Sequence, residues 1–382
     1  MEAVPRLPMI SFYLKVSPEP TTFGPKLKQY IRDFYNEDPE SYTNEIHQLE
    51  SLRTMAVRPP LDMAGCLLLK KYYCQLHFLQ SRFPMGKDGT AAVTFTWRDT
   101  YANMVCSLAS IRFEIISVLY NIGAMHTQLG ARTERTTADG MKMACTHFQC
   151  AAWAFEHLKN SYPQPSGVDL APELMTFMYQ LCLAQAQECI LEKSMLDNRK
   201  PTIVAKIARQ IVDYYTSTLN TLEQGGSDDG TISDTVGTKI YKSWKRYVKF
   251  KRAYHLAVTH LYQGLAAEEQ RKMGERVAFY NTALASLNEA HLIYSIAKGS
   301  VDVTGVPDEK AVVEEALTFT NDVIEGKRKA AKNENEFIYH EEIPEKETLT
   351  VIKGASLVKG ISFSINDPEV SGPDIFARLI PG

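Results

Sequence analysis

The uncharged stretch Leu174–Gln187 constrains the fold of this chain more than any other feature. Its apolar positions do not keep to one side of a helical wheel: Leu174, Met175, Phe177, Met178, Leu181, Cys182, Leu183, Ala184 and Ala186. A helix that is apolar nearly all round must be covered nearly all round. The stretch therefore predicts the central helix of a sizeable helical body.

The next predicted helix begins near Pro201, a residue that suits a first helical turn. At about 100° per residue its apolar side chains cover about half the circumference. Ile203 and Ile207 lie at one edge of this surface and Val212 at the other. Docking on one neighbouring layer needs a narrower stripe, so the edge of Ile203 and Ile207 must meet something else. The residues alone favour a further layer of the same protein over a binding partner.

Length and composition indicate an ordinary globular chain. It has 382 residues, of which 45% are hydrophobic and 23% charged, and helical arrays reach this length by stacking. The net charge of −3 argues against bulk electrostatic binding to nucleic acid. No apolar run approaches the length of a membrane span, and the N-terminus does not read as a signal peptide. The cytoplasm is the expected compartment, because the 7 cysteines are an odd number in mostly helical context, typical of buried free thiols.

Periodicity predicts a mainly helical fold with a few short strands near the N-terminus. The strands are expected at 8–15, Thr94–Trp97 and Ser110–Phe113, with the first pairing with the others. The expected helices cover about 22–36, 38–56, 61–82, 114–130, 138–160, 171–198, 201–223, 236–268, 270–297 and 309–334.

Two loops and a long C-terminal segment complete the predicted organisation. The loops Gly225–Gly230 and Gly299–Asp308 read as surface connections between long antiparallel helices. Prolines and glycines break up any helix after Asn335, yet the segment is too apolar for a disordered tail. We expect it to lie as an extended strap over the helical body. Paired helices of uneven length further suggest a helix-pair solenoid.

Two constellations resemble catalytic or metal sites but lack supporting residues. Cys106 and Arg112 have the Cys-x5-Arg spacing of cysteine phosphatases, but no glycine between them lets the backbone wrap around a phosphate. Cys145, His147 and Cys150 are closely spaced, but on one helix the two thiols project about 140° apart and no second ligand pair follows. No phosphate loop, G-x-S-x-G or H-E-x-x-H motif is present. The chain gives no reason to expect catalysis, a cofactor or a metal ion.

A basic stripe follows one face of the helix predicted at 236–268. Its members fall at helical spacing: Lys242, Lys245, Arg246, Lys249 and Arg252. The stripe is either a solvated helix face or a docking surface for acidic helices or anionic lipid, and the residues do not separate the two. Binding to an anionic membrane surface, with curvature sensing, is therefore the alternative function.

Seven segments spread in order along the chain resemble the Bro-one domain family, whose members include Alix. They are MEAVPRLPMI (1–10), GMKMACTHFQCAAWAF (140–155), LAQAQECILEKSMLDNRK (183–200), GERVAFY (274–280), EFIYHEEIP (336–344), KGASLVKG (353–360) and GPDIFARLIP (372–381). Within the family they are most similar to the branch that precedes a His-domain tyrosine phosphatase. The chain is then expected to be one domain, 1–382, and a piece of a longer protein. Its parts are N-terminal strands and helices (1–113), a helical solenoid (114–334) and an extended segment (335–382).

The resemblance implies a boomerang-shaped solenoid of tetratricopeptide-like helix pairs. It also implies docking onto the C-terminal amphipathic helix of an ESCRT-III subunit of the CHMP-four/Snf-seven class. Docking would recruit the parent protein from the cytoplasm to endosomes for multivesicular-body sorting of ubiquitinated receptors. The family's apolar patch falls on Ile190, Ile203 and Ile207, with Ile190 standing where Alix-type domains carry Phe. Ile203 and Ile207 are also the edge of the helix that one neighbouring layer cannot cover, so the resemblance favours a binding partner over a further layer of the same protein at this edge. We expect Asp at either position to abolish binding without unfolding the domain.

Thr146 marks a second expected site. The Alix branch tends to carry Lys at this position, whereas the phosphatase branch carries Thr, as here. A small polar residue beside Met143 and Cys150 is expected to open a pocket for additional endosomal adaptor peptides.

Overall fold

Helices make up most of the chain, which the computed structural model describes over residues 5–224, 231–296 and 299–381. The α-helices are α1 Gly24–Tyr30, α2 Thr43–Ala56, α3 Met63–Arg82, α4 Ile111–Arg132, α5 Ala138–Ser161, α6 Pro172–Leu196, α7 Pro201–Leu222, α8 Thr231–Val236, α9 Thr238–Glu269, α10 Met273–Ser295, α11 Glu309–Glu334 and α12 Pro368–Ser371. Single turns of other helix types lie at Ile31–Tyr35, Pro39–Tyr42, Asn335–Tyr339 and Lys346–Thr348. The strands β1 Phe95–Arg98 and β2 Val105–Leu108 form one antiparallel pair.

Local sequence signals explain where the helices begin. The side chain of Asp62 caps α3 by accepting a hydrogen bond from Gly65 N, and Thr137 caps α5 in the same way. Prolines occupy the first turns of α6 and α7, where a missing N–H costs nothing. The helices predicted from Glu114 onward are confirmed with small shifts at their ends, and α8 is an additional helix.

The solenoid is built by consecutive helices that pack on one another. α4 packs on α5, α5 on α6, α6 on α7, α7 on α9, α9 on α10 and α10 on α11. α6 is buried along nearly its whole circumference, as its uncharged stretch predicts. None of the helices in the described part of the chain combines the length and the apolar content that a membrane crossing requires.

Two strand predictions are wrong, for two different reasons. Residues 8–15 are extended but form no strand, because side chains of helices take the place of a neighbouring strand. Gln185 of α6 accepts from Ile10 N at 2.6 Å and donates to Ile10 O at 2.9 Å, and Asn121 of α4 binds Lys15 N and O in the same manner. The alternation of apolar and polar residues therefore predicts an extended backbone, but it does not predict whether a strand or side chains will bind that backbone. The second error concerns Ser110–Phe113, which opens α4, while the partner of β1 lies just before it at Val105–Leu108.

The predicted C-terminal strap is confirmed, and we use the name for residues 335–381. It crosses the solenoid in an extended course with few helical turns. Hydrogen bonds join it in turn to α10 at Gly274, α9 at Gln263, α7 at Lys206, α6 at Gln187, α5 at Gln149 and α3 at Gln75.

One of the two predicted loops is confirmed. The segment 299–308 connects α10 to α11, as expected. The loop at Gly225–Gly230 lies outside the described residues.

Candidate functional site

The three isoleucines of the predicted docking patch lie on the adjoining helices α6 and α7. Ile190 is half-buried and packs against a small cluster around Cys145, Phe148 and Cys189. Ile203 is half-buried against the main core of the domain. Both side chains thus keep a solvent-facing part, which can receive apolar side chains of another molecule.

Ile207 differs from the expectation for a contact residue. It is only 2% exposed and belongs to the main hydrophobic core. The surplus edge of α7 is therefore divided, with Ile207 covered within the protein and Ile203 left partly open. An Asp at Ile207 would bury a charge in the core, so loss of binding in that variant could not be separated from unfolding.

The strap runs beside this patch and is held there by backbone hydrogen bonds. Ala355 N donates to Lys206 O on α7 at 3.2 Å. The buried amide of Gln187 donates to Ala355 O at 2.9 Å and accepts from Leu357 N at 3.1 Å. At Gly354 an added Cβ would lie 2.8 Å from the backbone of Gln210, so only glycine allows this close approach. Periodicity gives no signal for these contacts, which join residues far apart in sequence.

The second predicted site, on α5, is open to solvent. Met143 is 56% exposed, and Thr146 is exposed too. The hydroxyl of Thr146 donates a hydrogen bond to Lys142 O, one turn earlier, at 3.0 Å. Cys150 continues the same face at helical spacing, and burial raises the pKa of its thiol. Thr146 also lies one turn from Gln149, whose side chain accepts from Lys359 N of the strap at 3.1 Å. The predicted second site therefore borders the strap as well.

The basic stripe on α9 is partly engaged within the domain. Lys245 forms an ion pair with Glu223 at 3.2 Å. Arg246 donates to Tyr294 O at 2.9 Å and lies over the Tyr294 ring. Lys242 is exposed and Lys249 is half-buried. The stripe thus offers a membrane fewer free cations than the sequence pattern indicates.

A buried ionic network lies behind the patch, on another side of α6. Glu188 accepts from Lys251 Nζ at 2.7 and 3.0 Å and from the hydroxyl of Tyr215, with His255 Nε2 at 3.3 Å. Burial alone would raise the pKa of Glu188, but Lys251 and His255 hold it below its usual value. One turn later Glu192 pairs with Arg135 at 2.9 Å. These charges are satisfied internally, so they contribute to the interior and not to a surface site.

The two motif-like constellations do not assemble into sites. Cys106 lies exposed on β2, whereas the guanidinium of Arg112 packs over Tyr162 from the first turn of α4. His147 Nδ1 lies 3.0 Å from Nδ1 of the buried His126, and burial lowers the pKa of both imidazoles. Within the described ranges, no group of His, Cys, Asp and Glu side chains has an arrangement that could hold a metal ion. All 7 thiols are free, most of them buried, as the cysteine pattern predicts.

Comparison with known proteins gives one consistent picture. The BRO1-like domain family matches residues 9–382. The human tyrosine-protein phosphatase non-receptor type 23 is 47% identical over 381 residues, which cover 100% of this chain and 22% of that protein. The vacuolar protein-sorting protein BRO1 of Gibberella zeae is 30% identical over 98% of this chain and 37% of its own length. The chain thus spans between about a fifth and two fifths of these relatives.

Among solved structures, the ALIX BRO1 domain in complex with CHMP4C matches with a TM-score of 0.81. The sequences are 26% identical, and the match covers 97% of this chain and 99% of that chain.

Proposed function

The chain belongs to the BRO1-like domain family, and from that membership we propose that it is a non-catalytic docking domain. Its partner is the C-terminal amphipathic helix of an ESCRT-III subunit of the CHMP-four/Snf-seven class. Docking recruits the parent protein from the cytoplasm to endosomes, where ubiquitinated receptors are sorted into multivesicular bodies.

The observation that carries the proposal is the likeness, along almost the whole chain, to an ALIX BRO1 domain that was solved with CHMP4C. The half-buried Ile190 and Ile203 supply an apolar surface of the kind that such a partner needs. Residues that are partly exposed yet packed from below are fixed in place before binding, which lowers the entropic cost of recognition.

The mechanism is helix-in-groove recognition. The partner helix lays apolar side chains, spaced one turn apart, onto Ile190 and Ile203, and flanking charges set its direction. Each well-buried side chain contributes roughly 1.5–3 kcal/mol, part of which is offset by the ordering of a flexible tail. Micromolar affinity is therefore expected for one helix, and an ESCRT-III polymer raises the apparent affinity through avidity.

A second peptide site at Thr146 completes the proposed function. The exposed Thr146, flanked by Met143 and the half-buried Cys150, receives additional endosomal adaptor peptides. A small side chain supports this role because it leaves room beside the exposed thioether of Met143.

The test is a titration of the domain with a fluorescent C-terminal helix peptide of the ESCRT-III subunit. We expect saturable binding in the micromolar range, lost in Ile203→Asp while the melting temperature stays near that of the wild type. Ile203 is the residue to change because, unlike Ile207, it has a solvent-facing part. Absence of binding by the wild type would leave only the family and the fold.

A further inference from the structure

A cavity with an aromatic lining lies along the N-terminal segment 8–15, away from the docking patch. It encloses about 320 Å³ between this segment, α4, α9 and the connection 299–308. Its floor is formed by Trp244 of α9, which lies edge to face with Phe12 and Tyr101 at centroid distances of 5.6 and 6.0 Å. A cavity of this size that combines an apolar lining with a few polar groups has the usual form of a ligand site.

Hydrogen bonds hold the walls of this cavity in place. Phe12 N donates to Thr127 Oγ1 at 3.0 Å, and Phe12 O accepts from Gln128 Nε2 at 2.9 Å. Ser11 N donates to Val303 O at 3.1 Å, which joins the N-terminal segment to the connection between α10 and α11. The cavity is therefore formed before a ligand arrives, so binding does not have to order its walls.

The charged groups of the cavity indicate the chemistry of its ligand. Arg132, in the last turn of α4, is exposed in the lining and forms no ion pair with any described residue. Asp302 also belongs to the lining, but its carboxylate accepts from Thr304 N at 3.0 Å and from Gly305 N at 2.9 Å within its own turn. Arg132 is thus the charge left without a partner, and its planar array of donors suits a carboxylate.

Two further features favour a peptide that carries an aromatic residue. Gln128 donates to Phe12 O, so its amide oxygen remains free to accept, for example from an indole N–H. At the solvent side the lining continues with Tyr13, which is 61% exposed, and Leu61, which is 43% exposed. An apolar rim of this kind contacts more of a ligand than one ring, which favours a peptide over a small free molecule.

We propose that this cavity binds an aromatic side chain, above all tryptophan, that stands next to an acidic residue in a peptide segment of a partner protein. The ring packs edge to face against Trp244 and its N–H donates to Gln128, while the neighbouring carboxylate pairs with Arg132. The site is separate from the docking patch, since none of its lining residues belongs to α6, α7 or the strap. It does not depend on the proposed docking of an ESCRT-III helix.

The test uses the whole chain and a blocked dipeptide of aspartate and fluorinated tryptophan, followed by fluorine NMR. The 3 tryptophans of the protein would obscure a fluorescence signal, whereas the fluorine nucleus reports on the ligand ring alone. We expect saturable binding with a Kd at or below about 1 mM, as befits so small a probe. A dipeptide with lysine in place of aspartate, and one with leucine in place of tryptophan, should compete only at concentrations about tenfold higher. Equal competition by either would overturn the proposed ligand class.

Two variants locate the probe. Ile240→Trp fills the cavity from α9 and should abolish binding, while the melting temperature stays near that of the wild type because the space is already open. Arg132→Glu should raise Kd about tenfold or more. Arg199→Glu is the matched control, because it makes the same charge change at an exposed arginine between α6 and α7, and it should leave Kd unchanged.

The remaining outcomes decide whether the cavity is a site of its own. Absence of binding by the wild type, or binding that persists in Ile240→Trp, would overturn the site. An equal Kd in Arg132→Glu and Arg199→Glu would overturn the pairing with an acidic residue, even if Ile240→Trp failed to fold. The ESCRT-III helix peptide should not displace the probe, and Ile203→Asp should bind the probe like the wild type. Displacement would place the probe on the docking patch and overturn the inference, while the docking function would stand.

Discussion

Two extended segments cross helix α6 on opposite faces and are held there by the same chemistry. Gln185 binds N–H and C=O of Ile10 in the N-terminal segment, and Gln187 binds Ala355 O and Leu357 N in the strap. Residues two apart on a helix project about 200° apart, which places the two clamps on opposite sides. Both glutamines are fully buried.

The side chains of the two segments differ in what surrounds them. Met9, Ile10 and Phe12 of the N-terminal segment are all buried, whereas Leu357 of the strap is largely exposed. The N-terminal segment also lies against the ionic network, with Lys251 Nζ 3.7 Å from the Met9 sulfur. A backbone clamp therefore does not by itself make a segment part of the core. On one face of α6 it builds the interior, and on the other it presents a surface.

The largest expected effect comes from breaking the interior face through Lys251→Met. The change leaves Glu188 buried without its main partner, which typically costs about 3–5 kcal/mol of unfolding free energy. Urea denaturation measures this loss, and Lys249→Met, which changes a half-buried lysine of the same helix, should cost far less. Helix-peptide affinity of the folded fraction should not change; a loss of affinity would show that the two faces are coupled.

The next largest effect is expected from removing either glutamine clamp, Gln185 or Gln187. Gln185→Leu leaves the buried N–H and C=O of Ile10 without a partner, which lowers the unfolding free energy by about 2–4 kcal/mol. Gln187→Leu frees backbone groups of a strap that can reach water, so it should cost about 1 kcal/mol or less. Equal losses in the two variants, measured by urea denaturation, would contradict the distinction between interior and surface segments.

A smaller effect, on binding alone, is expected on the strap side at Thr146. Thr146→Lys fills the space beside Met143 and should weaken adaptor peptides by about tenfold or more while sparing the ESCRT-III helix. Thr146→Ser keeps the hydroxyl and serves as the control. Competitive fluorescence titrations with both peptide classes measure the effect, and a parallel loss of both classes would count against a separate second site.

The smallest effect is an acid dependence that belongs to the interior face. The pKa of Glu188 is held below its usual value of 4.5, so the stability that it contributes is present above that pH and is lost as the pH falls through the lowered pKa. Glu188→Gln is less stable at neutral pH, but it should lose less stability than the wild type as the pH falls below 4.5. Chemical denaturation at several pH values in this range measures the loss. If the unfolding free energies of the variant and the wild type fell by the same amount on acidification, Glu188 would not contribute to the acid dependence.

Local sequence patterns predict much of the fold, and the wrong strand at 8–15 has a clear physical cause. The buried α6, the long helices that follow it and the strap are predictable from charge-free runs, helical spacing and the breakers after Asn335. The strand at 8–15 was not, because alternation is the same whether an extended chain is paired by a strand or by glutamine and asparagine side chains.

The candidate site was predictable only in part. The helical wheel placed Ile203 and Ile207 on one edge of the apolar surface of α7. It could not predict which of the two side chains a neighbouring part of the protein would cover. The fold covers Ile207 and leaves Ile203 half-exposed. The exposure of Leu357 could not be predicted from the sequence, since a leucine in an irregular segment is expected to pack against the protein.

The sequence by itself determined the helices, their order, the central place of α6 and the family, because these depend on spacing between nearby residues and on motifs spread along the chain. Only the tertiary structure decided which backbone Gln185 and Gln187 bind and which apolar side chains stay open. These contacts join residues 175 and 170 positions apart, and a glutamine's two hydrogen-bonding groups specify no partner until the chain is folded around them.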